Sequence, residues 1–104
     1  MGNSPKIPPM TEEQKQTRLD SFVKMLPLLE SNVQSTDEAH KAILNGMLKS
    51  TDMTAYTASF ALTGSNFDEA RDELERVQTV IAYIQSTPAD QLTELSIGAQ
   101  YAKS

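Results

Sequence analysis

The chain has no cysteine and no tryptophan, one histidine, four glycines, and nine basic residues against fourteen acidic ones in 104 positions. Each shortage excludes a class of chemistry. Without cysteine there is no disulfide framework, no thiolate zinc site and no cysteine nucleophile. His40 is the sole imidazole, so a Ser–His–acid hydrolase would have a single candidate base, and no glycine-flanked serine stands ready as its nucleophile. Four glycines build neither a phosphate-cradling loop nor a dinucleotide fingerprint, and neither motif occurs. The net charge of −5 opposes binding to nucleic-acid phosphates or to an anionic membrane surface. Long apolar runs are missing too: the longest, residues 25–29, is interrupted by Pro27. Neither a secretory leader nor a membrane span is expected, and the expected location is the cytoplasm.

What is present is helical patterning over a lean core. Leu, Ile, Val and Phe together make only about a fifth of the chain, near the ~20% level below which charged chains tend to stay unfolded. Part of the stability is therefore expected to come from self-association or from a partner. Residues 1–10 hold Pro5, Pro8 and Pro9 with few apolar residues and read as a flexible tail. Residues 11–104 read as one helical domain.

Thr11 and Gln14 have the spacing of a capping box, with Glu12 and Glu13 suited to the dipole of a helix start. Leu19, Phe22, Leu26, Leu29 and Val33 then alternate by three and four, which sets them on one helical face. Pro27 inside that pattern predicts a kink or a break. Ser35 with Glu38 suggests another cap, followed by Ile43, Leu44, Met47 and Leu48 on one side. On an uninterrupted helix Met53, Tyr56 and Phe60 point to nearly the opposite side. Two readings fit. The chain breaks at residues 50–52, or one helix spans about 37–62 and presents Met53, Tyr56 and Phe60 as a partner-binding stripe. The alignment of Ala55, Ala58 and Ala61 with Ile43 and Met47 favours the long helix.

Residues 63–66 read as a turn, with Gly64 as a left-handed cap and Asn66 starting a new helix. Phe67, Ala70, Leu74, Val77, Ile81 and Ile84 keep the three-four alternation and form a core or oligomer seam, broadened by Val80. Thr87, Pro88 and Asp90 predict a final helix bearing Leu92 and Leu95. The expected fold is all-α: four to five helices built around an antiparallel helical hairpin, and oligomeric.

Candidate sites for chemistry are few. Asp37 and His40 lie three apart on a helix, as two metal ligands would, but the matching second pair is absent and the two read as surface residues. Ala42 and Gly46 have helix-turn-helix spacing, yet Lys41, Asn45 and Asp52 fall where that motif needs apolar contacts. No catalytic residue, metal or cofactor is expected. The leading expectation is a non-enzymatic protein that binds a protein partner and itself, as an adaptor, chaperone, immunity protein or phage-type inhibitor. The alternative is a helical oligomer that holds a small ligand such as a nucleotide between subunits.

Overall fold

A computed structural model describes residues 8–103, and they are all-α. Three α-helices are present: α1 (Glu12–Lys49), α2 (Thr57–Ser86) and α3 (Glu94–Lys103). Two single-turn 3-10 segments, Met53–Tyr56 and Ala89–Gln91, lie between them. The expected four to five helices are thus three, because three predicted boundaries do not exist. Pro27 sits inside α1 without ending it. It lies on an exposed side, where water can take the carbonyl it leaves without a partner, while Leu26 and Leu29 carry the apolar phase past it. Ser35 caps nothing, and Glu38 accepts from Gln34 Nε2 (3.2 Å) within the same helix. Gly64 is helical with negative φ, so residues 63–66 form no turn and α2 runs straight through Asn66.

The break falls at residues 50–52 instead. Ser50 Oγ accepts from the Asp52 amide (3.1 Å), and Asp52 Oδ1 accepts from the Thr54 amide (3.2 Å), starting the turn that leads into α2. The single helix over 37–62 is therefore two. Contacts across the pair run in opposite directions, Gly46 meeting Tyr56 and His40 meeting Phe60, so α1 and α2 form an antiparallel hairpin.

Contacts divide the described residues into a three-helix unit (8–25 and 76–103) and a two-helix unit (26–75). In the three-helix unit, Met10, Val80, Ile84, Leu92 and Ile97 form the core, with Leu19, Phe22, Tyr83 and Tyr101 packed against it. Residues 1–7 of the expected tail lie outside the described residues, but Met10 is buried and its amide donates to the Leu92 carbonyl (2.9 Å). The Thr11–Gln14 capping box forms as the sequence predicts, at 3.0 and 3.1 Å. Lys15 Nζ donates to the Thr87 carbonyl (2.8 Å), and Arg18 pairs with Glu94 (3.1 Å) while lying over the Phe22 ring.

The start of the last helix differs from expectation. Thr87 Oγ1 donates back to the Tyr83 carbonyl (2.6 Å) and closes the end of α2. The reciprocal cap of α3 is Thr93 with Ser96, each side-chain oxygen taking the other's amide at 3.0 Å. Within α3, a Cβ at Gly98 would meet nothing within 4 Å. Gly98→Ala is therefore expected to stabilise the protein by about 0.5–1 kcal/mol, the helix-propensity difference alone, measured as a rise of the urea midpoint at unchanged slope.

Candidate partner-binding face

The half-buried positions of α1 from Leu26 onward include Leu26, Leu29, Val33, Thr36, His40, Ile43 and Met47, again spaced three and four apart, with Asp37 and Gly46 beside them. Facing them are Tyr56, at the end of the 3-10 turn, and Phe60, Thr63, Phe67, Ala70 and Leu74 on α2. This is a heptad seam between two antiparallel helices. It is thin at its centre, where Thr36, His40, Thr63 and Ala70 occupy positions that elsewhere hold large apolar groups.

The centre is held by polar contact and close approach. His40 Nδ1 lies 2.8 Å from Thr63 Oγ1, and the Thr63 hydroxyl donates to the Ser59 carbonyl at 2.9 Å. With that hydroxyl proton committed, Nδ1 of His40 is the donor to Thr63. The imidazole also packs on the Phe60 ring at a centroid distance of 4.5 Å. Gly64 makes room for it, since a Cβ there would stand 3.2 Å from His40 Cε1. Gly46 does the same for Tyr56, at 3.1 Å from Cε1. One polar pair on an apolar seam favours this register, because a slip separates His40 from Thr63 and from the Phe60 ring.

The predicted stripe is thereby divided. Tyr56 and Phe60 are half-buried against α1, and Met53, on the turn, is about half exposed. The predicted seam divides as well. Val77, Ile81 and Ile84 are buried in the three-helix unit, whereas Phe67 and Leu74 of the two-helix unit are only half-buried. Across residues 26–75 only Ala70 is buried.

Outside the seam, the two-helix unit exposes Leu28, Leu44, Leu48, Met53 and Leu62; Leu48 keeps 68% and Leu62 62% of its surface in solvent. Met53 belongs to the predicted stripe; the outward placement of Leu28, Leu44, Leu48 and Leu62 is what sequence reasoning missed. Their signal was their position one step off the three-four alternation. Two grooves flank the seam. One is lined by Asn32, Thr36, Asn66, Glu69, Ala70 and Glu73, and the other by Glu30, Val33, Gln34, Asp37, Phe67 and Leu74. The first carries carboxylates that repel phosphate; the second has an apolar floor. No protein-family model, curated protein or solved structure matches the chain.

Asp37 and His40, the one metal-like pair, are engaged separately. Asp37 binds Lys41 at 2.9 Å, and that hydrogen bond, with the attraction of the carboxylate, holds the Lys41 ammonium above its ordinary pKa. His40 turns to Thr63. Among the described residues no group of three or more His, Cys, Asp or Glu side chains could hold a metal ion, and no helix is long and apolar enough to cross a membrane.

Proposed function

We propose that this protein is a non-enzymatic, cytoplasmic binding module of the adaptor or inhibitor kind, and that the open side of its two-helix unit receives another protein chain. One observation carries the reading: residues 26–75 form a regular helix pair that buries no large side chain and exposes five large apolar ones. Two helices alone bury little surface, and large apolar side chains left in solvent on a small protein mark a place where something docks. A photo-crosslinking amino acid at Leu48 tests this in an extract of the source cells, with Gln85, exposed in the three-helix unit, as control. Discrete protein adducts at position 48 and none at 85 are expected. No adduct at Leu44, Leu48 or Leu62, or the same adducts at Gln85, would overturn the reading.

Self-association is the second part of the proposal, and the chain's charge sets its salt dependence. Two copies meeting through residues 26–75 bring together surfaces of like sign, so screening by added salt strengthens the contact. Sedimentation equilibrium of the full chain is expected to show a dimer constant that tightens between about 0.05 and 0.5 M salt. A dimer that loosens over that range would show that apolar contact across this acidic surface is not what holds it.

A further inference from the structure

The fourteen acidic and nine basic residues are not evenly shared. Residues 26–75 hold three basic residues, Lys41, Lys49 and Arg71, against nine acidic ones, a net charge of −6. The remainder holds six basic against five acidic, a net charge of +1. The excess negative charge of the protein therefore sits entirely on the unit whose apolar seam is uncovered. Two of its three basic groups are already engaged. Lys41 pairs with Asp37 at 2.9 Å, and Arg71 pairs with Asp68 at 3.6 Å while lying over the Phe67 ring at 5.6 Å.

We infer that the groove floored by Val33, Phe67 and Leu74 and edged by Glu30 and Asp37 docks a basic amphipathic helix of a partner protein. This rests on the binding-module reading above and names the partner's chemistry. Apolar side chains of the guest fill the groove, and lysines or arginines beside them meet the acidic surroundings. A helix is the fitting guest because a groove between two helices receives ridges of side chains at three- and four-residue spacing. The three-helix unit is a worked case, since there the guest is the chain's own α3, through Ile97. Leu44 and Leu48 lie on the same side of α1 as Val33 and extend the apolar track. Val33 to Leu48 spans about 22 Å at 1.5 Å per residue, the length of a guest of about fifteen residues. A second copy at this groove would set −6 against −6, so at low salt a basic guest is favoured over it and self-association through residues 26–75 gains only as salt screens the charge.

The test uses the full chain and two synthetic 18-residue helical peptides, each with leucines on one face. One carries lysines on the other face and its twin carries glutamates. Calorimetric titration at about 50 mM salt is expected to show the lysine peptide binding 1:1 and at least about tenfold more tightly than the twin, weakening about fivefold or more at 500 mM. Leu44→Ser with Leu48→Ser, both exposed, should lower its affinity about tenfold at unchanged helicity, whereas Leu95→Ser, exposed on α3, should not. Equal binding of the two peptides, binding indifferent to Leu44→Ser with Leu48→Ser, or no binding would each overturn the inference. If only the glutamate twin binds, the basic-partner inference fails while the binding-module reading stands. If neither binds, the Leu48 crosslinks decide that reading separately.

Discussion

Ile84→Ala is expected to destabilise the protein by about 2–5 kcal/mol, the range for emptying a well-packed aliphatic site. Ile84 is fully buried and joins Met10, Val80, Leu92 and Ile97 in the one core cluster of the three-helix unit. It is supplied by α2, while its neighbours come from the segment before α1, from α2 itself, and from the turn and helix that follow. Truncation leaves a cavity that no single neighbour can close. Urea unfolding followed by circular dichroism measures the effect, with Leu62→Ala as the contrast. Leu62 is 62% exposed, so its loss should shift stability by no more than about 0.5 kcal/mol. Comparable losses at both sites would show that burial is distributed differently from this account.

Tyr56→Glu combined with Phe60→Glu is expected to unzip the far end of the hairpin, at a cost of about 3 kcal/mol or more. Tyr56 packs on Gly46, and Phe60 packs on His40 at 4.5 Å. The substitution sets two carboxylates into an interhelical seam and strips the His40–Thr63 pair of its apolar cover. The readout is loss of helical signal and faster amide exchange over residues 40–49 and 56–64. If the double variant keeps full helicity and loses only partner binding, Tyr56 and Phe60 are recognition residues and not the pair that joins α1 to α2.

The reason these two residues were hard to read lies in the break before them. Measured along an uninterrupted helix, Tyr56 and Phe60 point away from Ile43 and Met47, which makes them look like a second face. The chain is interrupted at residues 50–52, so the angular count restarts, and the two residues lead the seam that continues through Phe67, Leu74, Val77, Ile81 and Ile84. The all-α class, the Thr11–Gln14 cap and the buried end of that seam were legible because each rests on spacing within one helix; a hairpin was expected too, but its turn falls at residues 50–56 and not at 63–66. The helix boundaries were not. Pro27, Ser35, Gly64 and Asn66 are local stop signals, and each was overruled by an apolar phase that continues past it. Where such signals coincide with a lost phase, at Ser50 and Asp52, the helix does end.

The α3 cap shows the opposite error. Thr87 and Pro88 have the form of a helix start, but they close α2 and lead into a 3-10 turn. Thr93 with Ser96 does the capping instead, in a serine-containing variant of the pattern that the Glu or Gln rule passes over. The exposed face of the two-helix unit was equally hidden. Sequence periodicity says which residues share a side, and the number of helices available to cover that side emerges only from the fold. Residues 76–103 supply a third helix to their unit, and residues 26–75 contain only two.

Hydrogen–deuterium exchange of the full chain, alone and with the lysine peptide, tests the central claim most directly. In the free protein, amides 77–84 should exchange far more slowly than amides 67–74 of the same helix, because only the former lie over a closed core. Addition of the peptide should slow exchange over 30–48 and 67–74 and leave 77–84 unchanged. Equal protection along all of α2 in the free chain, or peptide-induced protection confined to residues 77–103, would contradict the account.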